Sequence, residues 1–254
     1  MSLYEIYFSP TGGTKKVADT VAEGIGEQAV KLDMIKQPEK LKQTCFKADD
    51  LCLIAVPSYG GRVPSVAVDE LKKVHGNGAK AVLIAVFGNR EIDDTLTELE
   101  DVLAEAGFVC MAGIEAVAEH SLMHQFAAGR PDQEDEKVLM GFSKEIKEKF
   151  VNAGIERKVK FPGSHEYKEY NGVPMKPATN RKCVSCGLCA KECPAGAISE
   201  ENPRKTDKEK CISCMHCVSV CPKNARHYSK LLSIIAGQKM KKSCSERKEN
   251  KLYI

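Results

Sequence analysis

Eight of the twelve cysteines in this 254-residue chain fall into two copies of one pattern, each a run of three cysteines at i, i+3 and i+6 followed by a Cys-Pro pair. Three thiolates at that spacing can surround one small iron–sulfur cluster. In two-cluster arrangements of this kind, the fourth cysteine binds the other cluster. The pattern therefore predicts two [4Fe–4S] sites with crossed ligands. Cluster 1 would be bound by Cys183, Cys186, Cys189 and Cys221, and cluster 2 by Cys211, Cys214, Cys217 and Cys193.

Two other cysteine chemistries fit this pattern less well. Zinc ribbons use paired CxxC knuckles, not a run of three followed by Cys-Pro. Disulfides are not indicated either, because the other four cysteines (Cys45, Cys52, Cys110 and Cys244) are scattered along the chain. The spacing favours a chain that carries electrons. Oxygen-sensitive clusters together with free thiols indicate a reducing cytoplasm, in an anaerobe.

The charge and hydropathy of the chain exclude several classes of protein. Its formal net charge is only +3, with acidic and basic residues well mixed, which is not the signature of a nucleic-acid-binding protein. No apolar run approaches the length of a membrane span, and the first residues lack the basic and apolar stretches of a secretion signal. The basic segment 231–254 is expected to be a solvated tail.

Short apolar runs alternate with amphipathic stretches over the first 150 residues, as they do in βαβ units. The predicted strands are 3–8, 29–35, 50–56, 79–87 and 108–118, and the predicted helices are 14–26, one opening at Pro64, 92–106 and 131–153. This pattern predicts an α/β fold with a five-stranded, doubly wound parallel sheet. The expected organisation is a sheet domain at 1–153, a linker or strap at 154–177, a small α+β two-cluster domain at 178–230 and the basic tail at 231–254.

The turn after the first predicted strand could hold a phosphate. It reads Ser9-Pro10-Thr11-Gly12-Gly13-Thr14 and leads directly into a helix. Hydroxyls, glycines and the amides of a helix N-terminus suit a phosphate monoester. Neither a Walker loop nor a GxGxxG motif is present at this turn. An ordinary capped turn explains the same residues about equally well.

Two further Gly-rich loops follow the third and fourth predicted strands. In a doubly wound sheet, such loops converge at the carboxyl ends of the strands, where ligands bind. Together they suit a flat ring held by backbone contacts and stacking. The candidate ring-binding residues are Ser58, Tyr59, Gly60, Gly61, Gly88, Asn89, Arg90 and Asp93.

The first turn resembles the phosphate loop of the flavodoxins, Ser-x-Thr-Gly-x-Thr. Ser9, Thr11, Gly12 and Thr14 match it, while Gly13 stands in place of the usual asparagine and Pro10 is a further departure. The resemblance implies that the phosphate of FMN lies on residues 9–14 and that the flavin ring lies between the two Gly-rich loops.

The whole layout resembles the flavodoxin–ferredoxin fusion proteins of anaerobic bacteria and archaea. The resemblance covers nearly the full length, except for the last 25 or so residues. It implies a flavodoxin-like domain followed by a ferredoxin domain with two [4Fe–4S] clusters.

Several polar side chains are candidates for chemistry at the flavin. His120, Ser121 and His124 lie in a long loop after the fifth predicted strand, and a histidine there could deliver a proton to a substrate. Arg62 and Arg90 lie in the two Gly-rich loops after the third and fourth predicted strands, which we call the ring loops. They could bind an anionic substrate or the reduced flavin. The alternative is that the histidines hydrogen-bond backbone groups and that the arginines face solvent. The predicted catalytic residues are His120, His124 and Arg62.

These features predict an electron-transfer flavoprotein in which the clusters exchange electrons with FMN, and a small acceptor is reduced at the flavin. That would make the chain a ferredoxin-dependent FMN oxidoreductase. A pure electron carrier between protein partners, with no small-molecule substrate, is the alternative. A third hypothesis is a module without flavin, in which the first turn is only structural. The expected partners are a low-potential redox protein or a small acceptor, and a homodimer is left open.

Overall fold

The structure is a computed structural model, and it describes residues 2–151 and 159–254. The strands are β1 (Leu3–Tyr7), β2 (Val30–Asp33), β3 (Leu51–Pro57), β4 (Lys80–Phe87), β5 (Val109–Val117), β6 (Ala178–Thr179), β7 (Arg226–His227) and β8 (Lys251–Tyr253). The helices are α1 (Gly13–Ile25), α2 (Pro38–Gln43), α3 (Ser65–Leu71), α4 (Thr95–Glu105), α5 (Gln133–Val151), α6 (Leu188–Lys191), α7 (His216–Ser219) and α8 (Lys230–Cys244).

Five parallel strands form the main sheet in the order β2-β1-β3-β4-β5. This is the strand order of flavodoxin-like doubly wound folds, in which ligands bind beyond the carboxyl ends of the strands. The prediction of a five-stranded, doubly wound parallel sheet is thereby confirmed. A sixth strand, β8, was not predicted and pairs antiparallel with β5 at the sheet edge.

The two central strands explain why the sheet is so apolar. β3 and β4 are almost entirely buried along their length, because helices cover both faces of the sheet. Strands buried on both faces read as continuous apolar runs without alternation. The sequence 51–56 is such a run, and the structure places it next to β1 and β4.

The predicted helices are present with shifted ends. α1 stops where Gly26 adopts a positive φ of 79°, a conformation that suits glycine at a helix C-terminus. The short helix α2 was missed, since six residues are too few to show a helical period. The predicted ends of the last helix at residue 153 and the start of the linker at 154–158 lie outside the described residues.

The C-terminal segment is not a solvated tail. After α8 it returns to the sheet, where Asn250 accepts a hydrogen bond from the amide of Val117 (2.9 Å) and donates one to Asp135 (2.9 Å). The Nδ2 of Asn89 donates to the carbonyls of Cys244 (2.6 Å) and Glu246 (2.8 Å). These polar contacts attach the segment to the sheet. They were not expected from the sequence, because its high proportion of lysine is typical of a solvated tail.

No helix within residues 2–151 and 159–254 combines the length and the apolar character needed to cross a bilayer.

Candidate cofactor-binding site

The eight patterned cysteines line two small cavities, four in each. The first cavity contains Cys183, Cys186, Cys189 and Cys221, and the second contains Cys193, Cys211, Cys214 and Cys217. The fold therefore brings together the same two sets that the sequence predicts, with the last cysteine of each run in the cavity of the other. We call these cavities cluster site 1 and cluster site 2.

The two sites are built from the same local structure, repeated 28 residues apart. In each run the chain turns through two residues with positive φ, and amide groups point at the first and fourth cysteine sulfurs. N–H groups directed at sulfur stabilise a thiolate. The donors are the amides of Ser185 to Cys183 (3.4 Å), Ser213 to Cys211 (3.4 Å), Ala197 to Cys193 (3.3 Å) and Ala225 to Cys221 (3.2 Å).

These thiols are not spaced for a single metal ion. Among the residues that the structure describes, no group of three or more His, Cys, Asp or Glu side chains could hold one. A zinc ion would need its ligands to converge to metal–sulfur distances of about 2.3 Å. Four cysteines that line one small cavity instead suit a cluster of several irons, each iron bound by one thiolate.

A much larger cavity of about 700 Å³ lies at the carboxyl ends of the parallel strands. That volume falls within the range of about 300–1,000 Å³ that small-molecule and cofactor sites occupy. The cavity is bordered by residues 10–14 and by the loops after β3, β4 and β5. Its remaining walls come from residues 168–175, Ile212, Ser213 and helix α8. The cavity is therefore lined by the sheet domain and also by three later parts of the sequence, namely residues 168–175, residues 212–213 and α8.

The turn before α1 has the geometry of an anion site. Gly12 caps the helix with a φ of 94°, and the Oγ of Ser9 accepts a hydrogen bond from the amide of Lys15 (2.9 Å). No acidic residue lies in the first turn of this 13-residue helix. A Cβ on Gly13 would lie 3.3 Å from the Cβ of Ala118, so the backbone passes close to the loop after β5. The positive end of the helix dipole and the close backbone approach favour a phosphate here.

The ring loops contain glycines whose neighbours leave no room for a side chain. Gly60 has a φ of 63°, and a Cβ there would overlap the ring of Tyr170. Gly61 has a φ of 89°, and its Cβ would overlap the carboxylate of Asp93. A Cβ on Gly88 would lie 2.7 Å from the Cβ of His120. At these three positions the backbone lies directly against a neighbouring side chain, so a larger residue would require that neighbour to move.

Tyr170 is a cavity residue that the sequence did not reveal. It lies in the predicted linker at 154–177, and it lines the cavity together with Tyr59. Two aromatic side chains, from different parts of the chain, therefore face the space that a flavin ring would fill. The only signal in the sequence was the tyrosine-rich composition of residues 154–180, which has no period that would locate it in the fold.

Six predicted site residues lie outside the lining of this cavity: Ser9, Gly12, Arg62, Asn89, Asp93 and His124. The side chain of Asn89 holds the C-terminal segment, as described above. Asp93 pairs with Arg90, which does line the cavity, and with the Nζ of Lys168 (3.2 Å). His124 is exposed and pairs with Glu119 at 2.6 Å. The side chains of Asn89, Asp93 and His124 thus contact other protein groups.

The side chain of Arg62 binds other protein groups. Its guanidinium forms two bonds to the carboxylate of Glu98, Nε–Oε2 at 2.8 Å and Nη2–Oε1 at 2.7 Å. A third bond goes from Nη1 to the carbonyl of Lys168 (2.8 Å), and the group lies 4.6 Å from the ring centre of Tyr167. The Glu98 carboxylate also accepts from the Val63 amide (2.8 Å). Arg62 therefore holds the ring loop and the segment around residue 168 together.

Replacing Arg62 with alanine is expected to lower the free energy of unfolding and to leave flavin chemistry intact. The change leaves the buried Glu98 carboxylate without its cation, which costs about 3–5 kcal/mol for fully buried pairs, and about 2–3 kcal/mol is expected here because Arg62 is partly exposed. Denaturant unfolding measures the loss. The control is Lys72→Ala, whose exposed pair with Glu105 contributes at most about 1 kcal/mol. Equal losses in the two variants would contradict this assignment.

His120 is the one predicted catalytic residue that lines the cavity. Its Nδ1 lies 3.2 Å from the Leu122 amide and 3.3 Å from the Met123 amide and accepts hydrogen bonds from both. Burial lowers the pKa of His120 to about 4. The imidazole is therefore neutral near pH 7, and its proton is on Nε2 because Nδ1 is the acceptor.

His120 is expected to make the chain less stable as the pH falls from about 6.5 to about 4. The pKa of this group is about 4 in the folded chain and about 6.5 in the unfolded chain, so the unfolded chain binds the extra proton in this window. His120→Asn keeps an acceptor for the two amides and cannot be protonated there. Its free energy of unfolding should fall less across this window. Parallel curves for the variant and the parent would contradict the assignment.

Cluster site 2 adjoins the large cavity. Ile212 lines both. His216, between two ligands of site 2, lies with its Nδ1 at 2.8 Å from the carbonyl of Pro10 in the phosphate turn and its Nε2 at 3.1 Å from Glu192. The hydroxyl of Ser219 donates to the same Pro10 carbonyl (3.0 Å). The cysteine module is thus bonded directly to the turn that would hold a phosphate.

Parts of both halves of the chain are similar to known proteins. Residues 182–226 match the model of the 4Fe-4S dicluster domain family. A flavodoxin from Streptococcus pneumoniae TIGR4 is 19% identical, with 58% of this chain and 99% of that chain covered and a TM-score of 0.43. Flavodoxin 2 from Bacillus cereus is 18% identical, with coverage of 60% and 99% and a TM-score of 0.44. A search of curated protein sequences finds no match.

The main sheet has the strand order of flavodoxin-like folds, and residues 182–226 match the 4Fe-4S dicluster domain family. The chain therefore joins a sheet of flavodoxin-like topology to a segment that is similar to 4Fe-4S dicluster domains.

Proposed function

We propose that this chain is an iron–sulfur flavoprotein that transfers electrons between two [4Fe–4S] clusters and FMN, and that a small acceptor is reduced at the flavin. One observation carries the proposal. Cluster site 2 shares Ile212 with the large cavity, and its helix α7 is hydrogen-bonded to the phosphate turn. A redox module and a cofactor cavity in direct contact are arranged for electron transfer between them.

The large cavity fits FMN in its size and in its donors. The phosphate would be held by the turn of Ser9, Thr11, Gly12, Gly13 and Thr14. The ring would lie against the loop Ser58–Gly61 and against Gly88 and Arg90, with Tyr59 and Tyr170 as its aromatic neighbours. When bound, a flavin accepts single electrons and can release two electrons together, as a hydride or in steps. The protein binds and orients it and excludes water from it.

The remaining walls indicate the kind of acceptor. Leu122 and Met123 line one side, and Leu232, Ile235 and Met240 of α8 line another. These apolar side chains suit the apolar part of a small acceptor. His120, neutral with its proton on Nε2, is placed to donate a hydrogen bond to an acceptor in this space.

A pure electron carrier is the second candidate, and one observation favours it. α8 and residues 168–175 form walls of the cavity, which leaves less space for a small molecule beside a flavin. Turnover of neutral quinones by the chain with an excess of reduced ferredoxin separates the two. If the chain reduces quinones and His120→Asn lowers that turnover, the reductase is supported. If the chain exchanges electrons with proteins but reduces no quinone, the carrier is supported.

The proposed domains are the flavodoxin-like domain at 1–153, a connecting strap at 154–177 and the cluster domain at 178–230. Residues 231–254 are assigned back to the first domain, because β8 extends its sheet. A low-potential redox protein is the proposed partner. Free thiols and oxygen-sensitive clusters fit a reducing compartment, and we propose the cytoplasm of an anaerobe.

Anaerobic reconstitution of the whole chain with iron, sulfide and FMN tests the cofactor content. The proposal predicts about eight irons and one FMN per chain, since each cluster holds four irons. The matched variant Gly13→Val, which places a side chain against Ala118, should keep the irons and bind FMN more weakly. About four irons would contradict the two-cluster assignment, and full iron without FMN would contradict the flavin assignment.

A further inference from the structure

The two cluster sites differ in their exposure. At site 1, Cys186 is exposed and the neighbouring Val184 is 61% exposed. At site 2, Cys214 and Cys217 are each only 8% exposed, and the site adjoins the large cavity. An electron that reaches the flavin from outside would therefore enter at site 1, since tunnelling favours the shortest gap to a partner.

The rim of site 1 is positively charged. Arg181, Lys182, Arg204 and Lys223 are all exposed, and none of them forms an ion pair with any residue in the described part of the chain. The guanidinium of Arg204 donates to the carbonyl of Cys183 (2.6 Å), which holds one of these charges beside a cluster ligand.

The wall of the site carries the same sign of charge. The described lining of site 1 includes Lys223 and Arg226 but no carboxylate, and Glu200 and Glu201, the carboxylates that precede Arg204 in the chain, are not in it. This surface, with Val184 exposed among four cations, is called the cluster-1 face.

We propose that the cluster-1 face is the docking site of an acidic electron-transfer protein. This inference rests on the proposed function. Unpaired cations around an exposed apolar side chain steer an acidic partner and hold it briefly, which suits a transient redox complex. In each encounter one electron moves: the carrier is oxidised by one electron and cluster 1 is reduced by one, with no bond made or broken. Two encounters supply the two electrons that a flavin can release together.

A matched pair of charge reversals in the reconstituted full chain tests this proposal. The test variant is Lys182→Glu with Lys223→Glu. The control is Lys36→Glu with Lys40→Glu, two exposed lysines near β2 at the other end of the chain that change the net charge equally. Stopped-flow mixing with a strongly acidic reduced ferredoxin gives the bimolecular rate of cluster reduction at several salt concentrations.

The test variant should react at least about tenfold more slowly at low salt and lose most of its salt dependence, as expected when steering charges are removed. The control should stay within about twofold of the parent. Equal slowing in both variants, or no slowing in either, would overturn the proposal.

A second donor of opposite charge checks the sign of the effect. The methyl viologen radical is a cation, so it should reduce the test variant faster than the parent. Slower reduction by both donors would indicate damage to cluster site 1 and would overturn the docking assignment. Cluster reduction is read separately from flavin reduction. A failure of the flavin to follow would therefore count against the proposed function and not against the docking site.

Discussion

Replacing Cys193 and Cys214 together with alanine is expected to remove one cluster and leave the other, whereas replacing Cys193 and Cys186 together should remove both. The reason is the crossed lining of the two sites. Cys193 lies with Cys214 in cluster site 2, although Cys193 belongs to the same sequence run as Cys186. A cluster that loses a thiolate ligand becomes labile, so the number of intact clusters follows the grouping of the cysteines.

Iron analysis and low-temperature EPR of the reduced variants measure the outcome. The first double variant should retain about four irons and the second close to none, against about eight in the parent. The small domain should also lose its folded structure in the second variant, because a module this small depends on its metal sites for stability. The reverse result, in which Cys193 with Cys186 spares one cluster, would show that each run binds its own cluster.

Gly60→Ala is expected to weaken FMN binding by at least about tenfold. Gly60 has a φ of 63°, so a residue with a Cβ is strained there, and the added Cβ would overlap the ring of Tyr170. The loop or the tyrosine must then move at the cavity wall, and a loss of about 1.4 kcal/mol in FMN contacts is a factor of about ten in the dissociation constant. Fluorescence titration of the apoprotein with FMN measures the change.

The control is Gly141→Ala, in an exposed turn of α5 where a Cβ meets nothing within 4 Å. It should leave FMN binding unchanged and raise the free energy of unfolding by up to about 1 kcal/mol, since alanine favours a helix over glycine. Adding Tyr170→Ala to Gly60→Ala should restore part of the lost affinity only if overlap with the ring is the cause. Unchanged affinity in Gly60→Ala would remove this loop from the flavin site.

The sheet was predictable because its chemistry is local. The run at 51–56 is apolar at nearly every position, and such runs are typical of strands buried on both faces. The grouping of the cysteines was equally predictable, since fixed spacing and a following proline restrict which sulfurs can meet. In both cases the prediction depends on a pattern of residues that are close together in the sequence.

The walls of the large cavity were not predictable, because they depend on contacts between distant segments. Tyr170 reaches the cavity from a segment without periodicity, and α8 reaches it from a segment whose lysines suggested a solvated tail. The side chain of Arg62 was assigned to the flavin by its loop, yet its partner Glu98 lies in α4. A partner 36 residues away leaves no trace in the local pattern.

The contact between α7 and the phosphate turn connects the two halves of the chain. His216 and Ser219 share the carbonyl of Pro10 as acceptor, so the cluster domain is held at the edge of the cavity by the turn that would bind the phosphate. In this arrangement cluster site 2 lies next to the large cavity, and cluster site 1 lies nearer the protein surface. In the proposed electron path, the cluster-1 face is the entry and the cavity is the end.

The most direct test of this account is an anaerobic stopped-flow reduction of the reconstituted chain by reduced ferredoxin, with cluster and flavin absorbance followed separately. The account predicts that the cluster absorbance bleaches first, at a rate that depends on ferredoxin concentration. The flavin bands should then bleach at a rate that is independent of concentration, because the electron moves within one chain. Flavin bleaching that keeps pace with ferredoxin concentration, or that precedes the clusters, would contradict an internal path from the clusters to the cavity.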